Sequence, residues 1–388
     1  MNRLDELITE LCPDGVEFKS LNEVCHISKG VQFNKKDMKD EGTYPVINGG
    51  INPSGYIEQY NCDENTITIS QGGASAGYVN YLTQKFWVGA HCYTLKPYKN
   101  VLNRYLYHFC KSNEYKLQEC QYGAGIPALA KSTIASLQIP VPPLEVQREI
   151  VRILDNFTEL TAELTAELTA RKKQYEYYRE ALMRFDAVVP YVSVRKLFPH
   201  IRNGFVGTVK KYFTDAENGV RYLEGTNIHN GVISDNERLY VTKEFHQKYI
   251  KNELKSDDIL MVQSGHIGEC AVVGEKYAGS NCHALIIMSN GGHCISKFYV
   301  HYFHTIEGRK HLKPAITDGN LKHVLAGKMD LVKVPVPPVE IQQLVSDTLD
   351  KLESLCNSIT FGLPAEIEAR QKQYEYYRDK LLTFKQLA

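Results

Sequence analysis

The chain has 388 residues, too many for one ordinary core, and its 45 Lys and Arg balance 45 Asp and Glu to a formal net charge of +0. Zero net charge argues against a non-specific polyanion binder, and the ten cysteines form no Cys-x-x-Cys pair. With no apolar leader before a cleavage site and no apolar run near the roughly 20 residues of a membrane span, we predict a reduced, cytoplasmic protein without a membrane role.

The first globular segment, assigned to residues 1–143, reads as short strands separated by glycine-bearing turns. YPVINGGI (44–51) and TITISQGGASAGYV (66–79) each predict a strand, a turn and a second strand. QYGAGIPA (121–128) contains a Gly-x-Gly, but Pro127 stands where a phosphate-binding helix would begin, so a cofactor loop is disfavoured. The segment has 13 basic and 14 acidic residues and therefore no net positive charge.

A long central helix is predicted over 144–185. The run IPVPPLEVQREIVRILD (139–155) holds the chain extended before its prolines and turns helical just after Pro143. Apolar residues at steps of three and four then mark a seam for another helix. The unit Thr-Ala-Glu-Leu occurs at 161–164 and again at 165–168. One such unit adds about 6 Å and about 40° beyond a full turn, close to one or two base-pair steps in rise and one in twist.

The second globular segment, assigned to residues 186–338, corresponds faintly to the first. RYLEGTNI (221–228) aligns with 44–51, and DILMVQSGHIGECA (258–271) aligns with 66–79. This segment is clearly basic, with 19 basic and 15 acidic residues. We therefore expect the same scaffold to occur twice in the chain, with loops of different sequence.

The C-terminal segment, 339–388, repeats the central helix. VPVPPVEIQQLVSDTLD (334–350) follows the first proline run at an offset of 195 residues, and RQKQYEYYRDKLLTF (370–384) matches RKKQYEYYREALMRF (171–185) at ten of fifteen positions and an offset of 199. Pro364 removes a helical amide, so a kink or a restart is expected there. Whether this helix is continuous through Pro364 is left open.

Together these segments predict an α/β protein. Two mixed α/β globular domains are separated by two long helices that pair as an antiparallel coiled coil, with an internal pseudo-two-fold duplication. A helix of about 40 residues is about 60 Å long, comparable to roughly 17 base pairs.

If the globular segments contact DNA, side chains that can bond to base edges should lie on turns, with lysines and backbone amides nearby for phosphates. The candidates in the first segment are Lys35, Lys36, Asn48, Gln71, Ser75 and His91. Those in the second segment are Lys210, Lys211, Asn227, His229, Gln263, Ser264, His266 and Asn281. An ordinary solvated turn is the alternative for each of them. Because the loops differ while the scaffold matches, the two half-sites should differ and the whole target should be asymmetric.

The repeated tyrosine helix predicts two surfaces. Tyr175, Tyr178, Tyr374 and Tyr377 lie on the apolar stripe and are expected to fill the core between helices. Off that stripe lie Tyr177, Arg179, Tyr376 and Arg378, which we assign to partner binding because Tyr and Arg are favoured interface anchors.

No catalytic or metal site is predicted. Adjacent Cys and His residues lack zinc-finger spacing, and the sequence has neither a Gly-x-x-x-x-Gly-Lys-Ser/Thr loop nor an Asn-Pro-Pro-aromatic run. The chain is therefore expected to be no enzyme.

The paired PVPPLEVQREIV and PVPPVEIQQLVS runs, the paired QKQYEYYR-type helices and the Thr-Ala-Glu-Leu repeat resemble the specificity subunit of type I restriction-modification systems over the whole chain. The resemblance implies that 1–143 and 186–338 are target recognition domains, each reading half of a bipartite double-stranded DNA site, and that 144–185 and 339–388 are conserved helices that dock partners. It also implies that this chain binds no cofactor. Two modification subunits would bind S-adenosylmethionine and methylate adenines, and restriction subunits would use ATP and Mg²⁺.

Two other functions remain open from the sequence. A duplicated coiled-coil scaffold with protein- or glycan-binding ends would show no salt-dependent DNA affinity. A stand-alone methyltransferase, which the missing motifs disfavour, would bind its cofactor unaided. The target sequence, the spacer length, the loop residues that contact bases and the solubility of the chain alone are not determined by the residues.

Overall fold

The computed structural model describes residues 3–123, 125, 127–185, 188–319, 321–357 and 362–387. The chain divides into two compact units, one of residues 1–165 and 365–388 and the other of residues 166–364. Among the described residues, no helix is long and apolar enough to cross a membrane.

Unit 1 is a mixed α/β structure. Its helices before the long central helix are α1 (Arg3–Leu11), α2 (Leu21–Val24), α3 (Asn103–Ser112), α4 (Glu114–Glu119) and α5 (Lys131–Ala135). Its strands are β1 (Phe18–Ser20), β2 (Cys25–Lys29), β3 (Tyr44–Ile47), β4 (Tyr56–Ile57), β5 (Thr66–Ser70), β6 (Val79–Leu82), β7 (Trp87–Val88), β8 (Cys92–Pro97) and β9 (Gln138–Pro140). The main sheet is antiparallel in the order β2-β8-β5-β6, a smaller sheet has the order β4-β3-β7, and β1 pairs with β9.

The central helix α6 (Leu144–Leu182) contributes its first half to unit 1 and its second half to unit 2. It begins directly after Pro143, as the sequence predicts, because a proline lacks only an amide that has no helical partner at that position. The second proline run behaves in the same way, since α10 (Val339–Asn357) begins directly after Pro338.

Unit 2 repeats this architecture. Its remaining helices are α7 (Lys243–Lys248), α8 (Ser296–Phe303) and α9 (Ile306–Leu312). Its strands are β10 (Tyr191–Ser193), β11 (His200–Asn203), β12 (Phe213–Thr214), β13 (Gly219–Leu223), β14 (Ile228–His229), β15 (Val232–Ile233), β16 (Leu239–Thr242), β17 (Ile259–Val262), β18 (Cys270–Val272), β19 (Asn281–Cys282), β20 (Leu285–Ser289) and β21 (Lys333–Pro335). The sheet β11-β20-β17-β18 matches β2-β8-β5-β6 in order and in antiparallel sense. The strand pair β10-β21 likewise matches β1-β9.

The C-terminal helical segment consists of two helices. After α10 ends at Asn357, α11 (Leu363–Leu381) begins with Pro364 as its second residue. A proline in the first turn costs no helical hydrogen bond. Of the two predicted outcomes, a kink or a restart at Pro364, the structure shows a new helix that begins at Leu363. Residues 358–361 lie outside the described residues.

Each unit buries one face of the long helices in its main core. In unit 1, Val146, Ile150 and Leu154 of α6 share a core with Tyr374 and Leu382. In unit 2, Tyr175 of α6 shares a core with helix α10. The Tyr175 hydroxyl of α6 donates to Glu353 Oε1 of α10 at 3.3 Å, which ties these two helices together within unit 2.

Candidate nucleic-acid interface

The two loops predicted to contact DNA close equivalent hairpins. Residues 71–75 lie between β5 and β6, and residues 263–266 lie between β17 and β18. Each loop contains a glycine at positive φ, Gly73 at φ 80° and Gly265 at φ 79°. A β-carbon would be strained in that conformation, so the glycine fixes the shape of the turn in both units.

Unit 1 brings three of its candidates together. The Gln71 amide donates to the His91 carbonyl at 2.8 Å, and the His91 amide donates to Asn48 Oδ1 at 3.2 Å. The imidazole of His91 is exposed. Asn48 is thus partly engaged in shaping the loop, whereas His91 presents its ring to solvent.

The other unit 1 candidates lie apart from this group. Lys35 and Lys36 are exposed on a 3₁₀ turn, Lys35–Asp37, where Asn34 Oδ1 accepts from the Lys36 amide at 3.2 Å. Within the described part of the chain, no hydrogen bond or ion pair links these lysines to the Gln71 loop. Ser75 is half-buried on the loop itself and its carbonyl accepts from Tyr78.

In unit 2 the structure brings two histidines together. The rings of His229, at the end of β14, and His266 lie 6.1 Å apart edge to face, and both residues are exposed. Ser264 is exposed beside His266, and Gln263 is half-buried at the start of the loop. Lys210 and Lys211 are exposed on a separate 3₁₀ turn, Lys210–Tyr212.

Two unit 2 candidates are buried and need correction. Asn227 is 1% exposed, and its side chain accepts from the Glu224 amide at 2.9 Å and donates to the Ser234 and Glu237 carbonyls. Asn281 is also 1% exposed and bonds to His246 Nδ1 at 2.8 Å. Both side chains hold strands and turns in place, so their positions do not support the expectation that they contact bases.

The sequence reasoning missed the segments against which these loops pack. The Leu129 amide donates to the Gln71 carbonyl at 2.7 Å, and the Val324 amide donates to the Gln263 carbonyl at 2.9 Å. The first of these segments directly follows QYGAGIPA, whose Gly-x-Gly suggests from sequence only a disfavoured cofactor loop. The two segments are related by the same offset of 195 residues as the two helix starts, so the internal repeat could have identified them as a pair.

Each globular unit is joined to the long helices by the same cluster around a buried histidine, which we call the histidine clamp. In unit 1, His108 on α3 bonds to Asp155 at 2.8 Å through Nε2 and to the Tyr374 hydroxyl at 3.1 Å through Nδ1. In unit 2, His301 on α8 bonds to Asp350 at 2.8 Å and lies 3.4 Å from the Tyr175 hydroxyl. The repeated Leu-Asp and Gln-Tyr-Glu-Tyr-Tyr motifs therefore supply the aspartates and tyrosines that bond to the buried histidine of each globular unit.

Charge and burial act on the clamp together. Burial lowers the pKa of His108, which favours the neutral imidazole. Burial alone would raise the pKa of Asp155, but hydrogen bonds from His108 and Arg104 outweigh it and lower that pKa. The pKa of Asp350 is lowered in the same way, against burial, by His301 and Lys297. Both carboxylates are therefore held ionised as acceptors.

A second duplicated contact supports the start of each helix. Gln147 accepts from the Leu102 amide at 2.8 Å and donates to the Pro142 carbonyl at 2.8 Å. Its counterpart Gln342 accepts from the Ile295 amide at 3.0 Å and donates to the Pro337 carbonyl at 2.8 Å. Both glutamines are 0% exposed. The proline runs and the glutamine after them thus form one structural motif.

The repeated tyrosine helix buries only two of the four tyrosines that were expected to lie in the core. Tyr175 and Tyr374 are buried at 7% and 6% exposure, which confirms their predicted core position, whereas Tyr178 and Tyr377 are 39% and 40% exposed. The off-stripe residues Tyr177 and Tyr376 are 68% and 63% exposed.

The two arginines assigned with these tyrosines turn toward the core. The guanidinium of Arg179 lies 5.1 Å from the Tyr175 ring centroid, and that of Arg378 lies 5.6 Å from the Tyr374 ring centroid. Cation–π contact with a buried ring is a packing role. The exposed tyrosines, rather than these arginines, therefore offer the free surface of the repeated helix.

Among the described residues, one histidine and two carboxylates of unit 2 lie close enough together to ligate a metal ion. The ligand atoms of His301, Asp350 and Glu353 lie within 4.8 Å of one another. Lys297 Nζ, however, lies 3.5 Å from Asp350 and 3.1 Å from Glu353, so an ammonium already compensates the two carboxylates. We interpret the group as an ion-pair cluster that extends the histidine clamp.

Comparison with known proteins gives a family match over most of the chain. A family described as the type I restriction modification DNA specificity domain matches residues 13–171 and again residues 202–369. A putative type I restriction enzyme specificity subunit from Haemophilus influenzae is 31% identical, over 95% of this chain and 96% of its own length. A type I restriction enzyme specificity subunit from Escherichia coli is 29% identical over 99% of this chain and 97% of its own length.

Solved structures share the fold. The S subunit of a type I restriction-modification system from M. genitalium aligns with a TM-score of 0.63 at 17% identity, covering 95% of this chain and 96% of that chain. A chain from a structure of type I R-M complex assembly and conformational transition aligns with a TM-score of 0.61 at 14% identity, covering 95% and 98%.

Proposed function

The chain belongs to the family of type I restriction-modification DNA specificity proteins, and we propose that it selects an asymmetric bipartite DNA site, one half-site per recognition domain. We assign the recognition domains to 1–143 and 186–338, and the helices at 144–185 and 339–388 to spacing and docking. The observation that carries this proposal is the pairing of one scaffold with two different loops. The sheet orders and loop glycines match, while the exposed loop side chains differ.

Two domains that share a frame but present different side chains read different base pairs, because hydrogen bonds to base edges depend on the side chain and not on the scaffold. The exposed candidates for these contacts are His91 in the first domain and His229, Ser264 and His266 in the second. The exposed lysine pairs at 35–36 and 210–211 suit phosphate contacts.

This chain is proposed to be non-catalytic and to bind no cofactor itself. The chemistry would belong to two modification subunits, which bind S-adenosylmethionine, and to restriction subunits, which use ATP and Mg²⁺. Tyr177 and Tyr376 support docking of two like partners, because they occupy matching positions on the repeated helix and are exposed at 68% and 63%.

Docking of the modification subunits is tested on these tyrosines. Each of Tyr177→Ala and Tyr376→Ala should weaken binding of one modification subunit by roughly 30-fold, as for an aromatic hot spot of about 2 kcal/mol. The measurement is titration calorimetry with the purified modification subunit. Tyr115→Ala, at a 57% exposed tyrosine in α4, is the matched control and should bind normally. Normal affinity in both helix variants would contradict this docking site.

We further propose that the assembly works in the cytoplasm. All ten cysteines are free, and burial raises the pKa of several of them, to about 12 for Cys25 and Cys282. Such thiols suit a reducing compartment.

The experiment that tests the function is adenine-methylation mapping by single-molecule sequencing in a methylation-free host. The chain is expressed with and without the gene for its modification subunit. We expect methylated adenines in one asymmetric bipartite motif only when both genes are present. No motif from a verified complex of the chain with its modification subunits would contradict the proposal.

A further inference from the structure

Each globular unit contains a second loop whose stem is closed by hydrogen bonds at corresponding positions. In unit 1, Tyr122 and Ala128 exchange backbone hydrogen bonds at 2.9 Å in both directions, closing a hairpin whose residues 124 and 126 lie outside the described part of the chain. In unit 2, the Thr317 amide donates to the His323 carbonyl at 2.9 Å, and the His323 amide donates to Thr317 Oγ1 at 2.9 Å. The two stems are related by the offset of 195 that also relates the helix starts.

Each hairpin is fastened to the first loop of its own unit at the same point. The residue after the stem, Leu129 or Val324, is fully buried and donates its amide to the carbonyl of Gln71 or Gln263. In unit 1 the Gly73 amide also donates to the Pro127 carbonyl at 2.8 Å. The two loops of each unit therefore lie next to each other, joined by backbone hydrogen bonds.

The tips of the two hairpins differ in sequence, while the stems are closed at corresponding positions. Residues 123–127 read Gly-Ala-Gly-Ile-Pro and carry no charge, whereas residues 318–322 read Asp-Gly-Asn-Leu-Lys. Each tip has a glycine at positive φ, Gly123 at 101° and Gly319 at 122°. Exposed side chains project beside them, with Tyr122 at 58% and Leu321 at 81% exposure, and Lys322 is exposed as well.

A stem closed at corresponding positions in both units, with a tip of different sequence, is the arrangement expected of a loop whose side chains select a ligand, because the stem keeps its position while the recognising atoms change. The tips also offer suitable chemistry. A lysine can bond to guanine O6 and N7, and an exposed leucine can contact a thymine methyl. An exposed tyrosine beside a glycine-rich turn allows close approach to the sugar-phosphate backbone.

We propose that the described residues of the hairpins closed at 122–128 and 317–323 form a second DNA-contacting region of each recognition domain, and that Tyr122 and Lys322 contribute to the specificity of different half-sites. Residue 320 of the second hairpin, like residues 124 and 126 of the first, lies outside the described residues. This inference rests on the proposed function. It assigns recognition to segments that lie outside the loops at 71–75 and 263–266.

The test uses the full chain with its modification subunits. Tyr122→Ala and Lys322→Ala are each expressed with the modification gene, and the methylated motif is mapped. Affinity is measured on a duplex oligonucleotide that carries the wild-type motif. Lys322→Ala should relax at least one base pair in one half-site and weaken binding by between about 5-fold and about 150-fold. Tyr122→Ala should alter the other half-site only.

Lys328→Ala is the matched control, because Lys328 is an exposed lysine of the same unit outside the hairpin. It should keep the wild-type motif and affinity. Thermal unfolding of every variant separates a lost contact from a lost fold, and Lys322→Gln, which keeps the side-chain volume, decides the question if Lys322→Ala is less stable.

Wild-type motif and wild-type affinity in both hairpin variants would overturn this inference alone. A uniform loss of affinity with an unchanged motif would overturn the claim that these residues determine specificity. Absence of any methylated motif with the wild-type chain would contradict the proposed function instead, so the two failures are distinguishable.

Discussion

Gln342 illustrates how one side chain of the proline-run motif holds a helix to a globular unit. It is 0% exposed, accepts from the Ile295 amide and donates to the Pro337 carbonyl. Gln342→Ala leaves both backbone groups buried without partners, so the free energy of unfolding should fall by about 1–3 kcal/mol. Urea denaturation followed by circular dichroism measures this loss.

The neighbouring Gln343 provides the control for this change. It is exposed, and among the described residues its side chain bonds only to Asp347, at 2.7 Å, one turn along the same helix. Gln343→Ala should change stability by less than about 0.5 kcal/mol. Equal destabilisation by the two variants would contradict the prediction that the buried hydrogen bonds of Gln342 stabilise the fold.

His304 makes the stability of unit 2 depend on pH. Burial, aided by the positive charges of Arg179 and Arg309, lowers its pKa to about 3, below the roughly 6.5 of an unfolded histidine. Between these values the unfolded chain binds a proton that the folded chain does not. Stability should therefore be unaffected by His304 above about pH 6.5 and fall by up to about 1.4 kcal/mol per pH unit below it.

Urea denaturation at pH 7.5, 6 and 5 measures this slope. His304→Gln retains an acceptor for the Cys270 amide, which now donates to His304 Nε2 at 3.4 Å, and should reduce the slope. The lowered pKa of His108 acts in the same direction in unit 1 and remains in the variant. An unchanged slope in His304→Gln would rule out its titration as the cause.

Helix α6 contains the element with the sharpest geometric prediction. Its Thr-Ala-Glu-Leu units at 161–164 and 165–168 lie within one helix, Leu144–Leu182. Deleting residues 161–164 shortens the helix by about 6 Å and rotates its end by about 40°. Methylation mapping should find both half-sites unchanged and the spacer between them shorter by one or two base pairs.

Thr161→Ala separates helix length from helix chemistry. This change removes the bond from the Thr161 hydroxyl to the Phe157 carbonyl, at 2.8 Å, and keeps the length of α6. Its motif should keep the wild-type spacer. An unchanged spacer in the deletion variant, with both half-sites retained, would refute the interpretation of α6 as a ruler.

For the whole molecule, charge limits how the chain can bind DNA alone. The segment 1–143 has 13 basic and 14 acidic residues, a difference of −1, and the segment 186–338 has 19 and 15, a difference of +4. Phosphate contacts supply much of DNA affinity. The isolated chain should therefore bind duplex DNA weakly, with a Kd on the order of 10⁻⁴ to 10⁻⁶ M at physiological salt.

Adding the modification subunits should tighten binding to the range of about 10⁻⁸ to 10⁻¹¹ M that specific complexes reach. Fluorescence anisotropy with a labelled duplex that carries the mapped motif, at two salt concentrations, measures both states. Nanomolar binding by the chain alone would show that the modification subunits are not needed to close around the duplex. A scrambled duplex of equal length is the control.

The internal duplication, the two helix starts and the break near Pro364 were all predictable from the sequence. These features depend on local rules. The residue before a proline disfavours the helical conformation, whereas a helix can begin directly after a proline. Apolar residues at steps of three and four lie on one face of a helix. The burial of Tyr175 and Tyr374 follows from the same periodicity. The family resemblance rests on these motifs, and the family match supports it over the scaffold alternative and over the disfavoured methyltransferase alternative.

The clamps, the paired loops and the burial of Asn227 and Asn281 required the tertiary structure. His108 and Tyr374 are 266 residues apart in sequence, and no periodicity connects them. Asn227 lies in a turn, where asparagine is common for either structural or binding reasons, and only its three hydrogen bonds decide between the two. Local preferences act over a few residues, whereas a recognition surface is assembled from segments that meet only after the core has formed.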